Sequence, residues 1–193
     1  MLSILLIRAG TTEYESQGRI QGALDVPLSE GGRKQVEQTA SELTQQSAAV
    51  ETLYAAPGRA AQQTAEILSQ RLGLKFKTLK KLDNLNQGLW QGMLVEEVRA
   101  KQPKVFRQWQ ENPETVCPPK GETVQSARER LQEVLGKLAR KHKRGQIAMV
   151  VSEPLASLLR GLLTNEGVTD LWPVIGAPPK GPPWERLPVP SLR

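Results

Sequence analysis

The sequence predicts an α/β fold, a three-layer sandwich with a mainly parallel central sheet. Two apolar runs, Met1 to Arg8 and Gln146 to Val151, have the nearly continuous hydrophobicity of strands buried on both faces of a parallel sheet. Other segments place apolar residues at helical spacing, for example Val36, Ala40 and Leu43, and later Ala127, Leu131, Val134, Leu135 and Leu138. Strand-like and helical stretches alternate, which favours parallel strands covered by helices. With 193 residues, 38% hydrophobic and 24% charged, the chain can bury one core of ordinary size.

The elements follow in order. After the first strand comes a polar loop through Gly18, Gly22 and Pro27, and Ser29 then starts a helix as its N-cap. Val50 to Tyr54 reads as a second strand. Pro57 to Leu72 reads as a helix with proline in its first turn. Leu74 to Leu79 is a third strand whose Lys75 and Lys77 place charge on one face. Residues 82–117, with Trp90 and Trp109, read as an insertion holding two short helices, Leu94 to Lys101 and Pro103 to Gln110. Glu122 to Lys143 is the longest helix, Gln146 to Val151 a further strand, and Pro154 to Leu163 the helix after it.

The domain is thus expected to span residues 1–171, followed by a tail over 172–193. That tail holds seven of the 14 prolines, which predicts extended, polyproline-like chain rather than sheet interior. Trp172 and Trp184 are expected to anchor it on the domain surface.

Several function classes are disfavoured. The run Leu2 to Ile7 is too short to span a bilayer and lacks the flanks of a secretory signal, so a cytoplasmic protein without membrane association is expected. Cys117 is the only cysteine, and no disulfide or cysteine-based metal site can form within one chain. The net charge of +6 invites a nucleic-acid reading. Its densest patch, Arg140 to Arg144, reads as the last turn of a helix, where the dipole favours cations, and Lys75, Lys77, Lys80 and Lys81 fall on a short strand and the loop after it. Only 4% of residues are aromatic, and they do not interleave with either group. The expectation is therefore solvated basic faces, with nucleic acid disfavoured as a partner.

Five stretches carry a family resemblance. They are Leu6-Ile7-Arg8-Ala9-Gly10-Thr11-Thr12-Glu13, Gly18-Arg19-Ile20-Gln21-Gly22 with Asp25-Val26-Pro27-Leu28-Ser29, Ala55-Ala56-Pro57-Gly58-Arg59-Ala60-Ala61-Gln62-Gln63-Thr64-Ala65, Gly88-Leu89-Trp90-Gln91-Gly92, and Gly121-Glu122-Thr123 followed by Val150-Val151-Ser152-Glu153-Pro154. In order and spacing they resemble the motifs of the histidine phosphatase superfamily, the phosphoglycerate mutase-like proteins, over residues 1 to about 165. The resemblance implies that family's fold, with the 82–117 insertion lying over the phosphate pocket.

It also implies which positions would carry chemistry. In the family a histidine attacks phosphorus and holds the phosphoryl group covalently, two arginines and a second histidine stabilise the oxygens, and a carboxylic acid protonates the leaving group. Mapped by position, the nucleophile is Ala9, the second arginine Ala60, the second histidine Glu153 and the acid Asn84, while Glu15 stands where an asparagine often lines the pocket. Only Arg8 keeps the family's residue. Arg59 falls one position early, Arg19 lies on a loop, and His142, the sole histidine, reads as one more basic surface residue.

The six positions Arg8, Ala9, Glu15, Ala60, Asn84 and Glu153 therefore read as a vestigial phosphate pocket without a catalytic residue, cofactor or metal. Glu153 is expected to pair with Arg8. The resulting expectation is a pseudophosphatase that acts by binding an unidentified protein or small-molecule ligand. Two alternatives stand beside it: a hydrolase with a rebuilt site using Glu15 or Glu153 as general base, and a basic nucleic-acid-associated module.

Overall fold

The computed structural model describes residues 1–46, 49–166 and 182–190. In chain order its elements are β1 (Leu2–Arg8), α1 (Glu13–Ser16), α2 (Glu30–Gln45), β2 (Thr52–Ala55), α3 (Arg59–Leu72) and β3 (Phe76–Thr78). After these come α4 (Val95–Lys101), α5 (Pro103–Glu111), α6 (Val124–Lys141), β4 (Gly145–Val151), α7 (Leu155–Thr164) and β5 (Trp184–Pro188).

The strands form one sheet in the order β3-β2-β4-β1-β5. Ile4 to Ile7 of β1 and Ile147 to Val151 of β4 are all buried, as their unbroken hydrophobicity requires. The two strands pair in parallel from Leu2↔Gly145 to Arg8↔Val151. β2 pairs in parallel with both β3 and β4. The chain steps from β1 through β2 to β3 in one direction and returns through β4 to β5 in the other. Right-handed crossovers between the parallel strands put α2 and α3 on one face and α6 on the opposite one; α2 packs on α3, and α7 packs beside α6.

Local chemistry sets the helix ends. Ser29 Oγ accepts from Gly32 N at the start of α2, and Thr123 Oγ1 accepts from Ser126 N at the start of α6. α3 stops at Gly73, whose left-handed φ of 66° suits a residue without a Cβ. It begins at Arg59 with Gly58 as its cap, two residues later than Pro57 predicted. The expected strand from Leu74 to Leu79 shortens to Phe76–Thr78. α1 was not anticipated.

The tail departs most from expectation. Trp184–Pro188 is an antiparallel edge strand, registered from Ser3↔Pro188 to Ile7↔Trp184. Proline is tolerated there because an edge strand leaves half its N–H groups unneeded by the ladder. Leu187 and Val189 are buried in the domain core, so this stretch belongs to the domain. Trp184 is partly buried against that core, whereas Trp172 lies outside the described residues.

Residues 82–117 share the same core through Leu82, Leu85, Trp90, Val98 and Trp109. The Trp90 and Trp109 rings lie 5.3 Å apart, tilted by 49°. Gly88 locks this segment down: a Cβ there would fall 2.1 Å from the Pro119 carbonyl oxygen. Among the described residues no helix is long and apolar enough to cross a membrane.

Candidate functional site

The C-terminal ends of β1, β2 and β4 meet at one rim of the sheet, the place where open parallel sheets carry ligands. Ala9 N donates to Val151 O at 2.8 Å and Ala56 N to Val150 O at 2.9 Å, so the three strand ends are tied together. Gly10 N donates to Thr64 Oγ1 of α3 at 3.1 Å. Beyond it, the loop is pressed onto α2, where a Cβ on Gly32 would fall 2.0 Å from Thr11 O.

Four of the six expected pocket residues are engaged in bonds. Arg8 Nε lies 2.7 Å from Glu153 Oε1, with both side chains only about one-sixth exposed (15% and 17%). The expected pair is present. Arg8 is also held by the segment leading into β5: its backbone N donates to Pro183 O at 2.9 Å and its Nη1 to Pro182 O at 3.2 Å. The other oxygen of Glu153 accepts from Ser157 N at 3.2 Å and Ser157 Oγ at 2.8 Å, on the first turn of α7. A carboxylate there is favoured by the helix dipole.

Asn84 is a cross-link. Its Nδ2 donates to Gly22 O at 3.0 Å and to Glu153 O at 2.7 Å, and its Oδ1 accepts from Leu85 N at 2.9 Å. Arg130 supports it from α6, pairing with both oxygens of Glu122 and donating to Lys81 O and, at 3.4 Å, to Asn84 O. A carboxylate could not replace both Asn84 donors.

Glu15 closes a capping box on α1. Its Oε2 accepts from Thr12 N at 2.7 Å and Thr12 Oγ1 at 3.1 Å, while Thr12 Oγ1 accepts from Glu15 N. Burial pushes its carboxyl above the usual value of 4.5, the Thr12 bonds oppose that shift, and the nearby charge of Glu153 adds to it. The Thr12-x-x-Glu15 spacing was a readable signal for this small helix.

Ala9 and Ala60 lie on an apolar cluster instead. Ala60 is buried with Leu28 and Val36, and Ala9 packs against them with Ile67. Beside it is a small cleft lined by Gln21, Gly22, Leu24, Ala61, Asp83 and Asn84, with room for about one water molecule.

The remaining candidates stand apart. Arg59 is exposed, with its backbone N–H on Asp25 Oδ1 at 2.7 Å. Arg19 donates to Gly92 O at 2.7 Å and to Gln17 Oε1 at 3.1 Å. His142 is more than a surface base: Nε2 lies 2.9 Å from the hydroxyl of buried Tyr54, and it caps α6 at the rim opposite the site. Cys117 is exposed, its thiol within 3.6 Å of the Pro118 and Gly121 carbonyls, with no base among these contacts.

Residues 4–178 match the family model of the histidine phosphatase superfamily (branch 1). The chain is 33% identical over 165 residues to phosphoserine phosphatase 1 of Hydrogenobacter thermophilus, covering 84% of this chain and 77% of that one. It is 28% identical over 149 residues to phosphoglycerate mutase-like protein 4 of Arabidopsis thaliana, covering 76% of this chain and 64% of the relative. Among solved structures, a mycobacterial glucosyl-3-phosphoglycerate phosphatase complexed with VO3 superposes with a TM-score of 0.79 at 26% identity, over 86% of this chain and 84% of that one.

Proposed function

Because the chain belongs to the histidine phosphatase superfamily, we propose that it is a member that has given up phosphohistidine chemistry and acts by binding. The observation that carries this reading is the Arg8–Glu153 pair at 2.7 Å. Arg8 is the one residue retained from the phosphate-binding set, and a carboxylate now occupies it. A second carboxylate, Glu15, is close enough for its ionisation to feel Glu153. An incoming dianion would meet repulsion of about 1 kcal/mol per charge pair in water and several where solvent is excluded. At the nucleophile position there is only the Ala9 methyl group, on an apolar cluster that includes Ala60.

A second reading is favoured by the relatives, which include a phosphoserine phosphatase and a glucosyl-3-phosphoglycerate phosphatase. In it the chain hydrolyses a phosphate ester with water, activated by a carboxylate. Glu15 suits that role better than Glu153, since both oxygens of Glu153 are committed and the Glu15 carboxyl is already pushed upward.

An assay with p-nitrophenyl phosphate separates the two, comparing the natural chain, Glu15→Gln, and the triple variant Ala9→His, Ala60→Arg, Glu153→His. The proposal expects background release from the natural chain. Turnover that disappears in Glu15→Gln would establish the second reading instead.

A further inference from the structure

Members of the two basic groups, Lys77 of one and Lys141 and His142 of the other, meet around Tyr54 in the fold. Tyr54 of β2 is the register partner of Lys77 on β3, so the two side chains leave the sheet on the same side. The Tyr54 hydroxyl meets His142, and Lys141 Nζ sits 5.7 Å from the centre of the Tyr54 ring. Lys75 leads directly into the edge strand β3, and Lys143 and Arg144 lead directly into β4.

Lys75, Lys77, Arg140, Lys141, Lys143 and Arg144 are all exposed, and no ion pair among the described residues includes any of them. Glu51 lies at their margin, its carboxylate over Gly145. Six exposed cations with Glu51 beside them leave this surface with a net positive charge. Lysines on an open edge strand also discourage strand pairing. That role does not account for the helix-end cations beside them.

We propose that this surface binds the phosphate backbone of a nucleic-acid duplex, without reading its sequence. A protein partner would need a desolvated apolar or aromatic centre, but the large hydrophobic residues exposed among the described residues are Met1 and Leu89. Single-stranded nucleic acid would want aromatic platforms for its bases; of the two rings at the centre of the patch, Tyr54 is buried and His142 is half-buried with its ring edge-on to Tyr54. A duplex presents charge alone, and charge is what this surface offers.

The test is fluorescence anisotropy with a fluorescein-labelled duplex of random sequence, titrated from 50 to 200 mM salt. Binding should weaken with a log–log slope of about −4 or steeper. Lys77→Glu with Lys143→Glu should weaken it at least about tenfold and reduce the slope by about two. Arg33→Glu with Lys34→Glu, on α2 across the sheet, should leave it nearly unchanged; circular dichroism checks that both variants fold. No binding at 50 mM salt, or equal loss in the two variants, overturns the proposal. So does tighter binding, at equal charge, to a single strand, to polyglutamate or to vesicles containing phosphatidylserine.

Discussion

Arg8 and Glu153 join the last residue of β1 to the turn that follows β4, with Arg8 Nε 2.7 Å from Glu153 Oε1. Removing one partner leaves a mostly buried charge unmatched, and Glu153 also supports the first turn of α7. Glu153→Ala should therefore lose about 2 kcal/mol in urea unfolding, less than a fully buried pair because water still reaches this one. The same variant frees Arg8, so millimolar phosphate should raise its melting temperature and leave the natural chain unaffected. A phosphate response of equal size in both would show that Glu153 does not block the anion.

Asn84→Asp tests the cross-link. The substitution keeps the shape but removes both Nδ2 donors and sets a carboxylate against the Gly22 and Glu153 carbonyls. The expected loss at pH 7 is about 2–4 kcal/mol. Retained stability would mean that these two bonds contribute nothing net.

Glu15 makes stability depend on pH. Its folded pKa lies above 4.5, so the native state binds the extra proton. The corresponding stability is complete below the unfolded pKa and is lost as pH rises through the folded one. Glu15→Gln keeps an oxygen for Thr12 but cannot ionise. Its melting temperature, taken relative to the natural chain, should be higher at pH 7 than at pH 4. A constant difference across that range would refute the shift.

Thr12→Ala breaks the capping box from its other side. It should cost about 1 kcal/mol and increase amide exchange at Glu15, whose N–H loses its acceptor. Unchanged exchange would show that the bond is unimportant.

Leu187→Ala probes whether β5 is part of the cooperative domain. Leu187 is 5% exposed and faces Ile4 across the ladder, so truncation should cost about 2–4 kcal/mol. A cost near zero would mark the strand as loosely attached.

What the sequence disclosed reflects how local each signal is. β1 and β4 were legible because burial on both faces removes alternation, and α2 and α6 because their apolar residues repeat at helical spacing, with Ser29 marking the start of α2. β5 was not, because its partner is the far end of the chain and its prolines mimic an unpaired tail. At the site, the pairing of Arg8 with Glu153 followed from the family resemblance, which brings both positions to one pocket, together with their opposite charges. The Ala9–Ala60 contact with Leu28 and Val36 draws on four separate segments, and no spacing encodes it. The Tyr54–His142 bond is equally remote from any local pattern.

The place of β1 in the sheet has a consequence for biosynthesis. Its neighbours on either side, β4 and β5, begin at Gly145 and Trp184. A ribosome-bound chain must hold its most apolar strand unsatisfied until more than a hundred further residues have been translated. Such long-range closure slows folding and prolongs exposure to misassembly, so the nascent polypeptide is a natural client for chaperones that shield apolar segments.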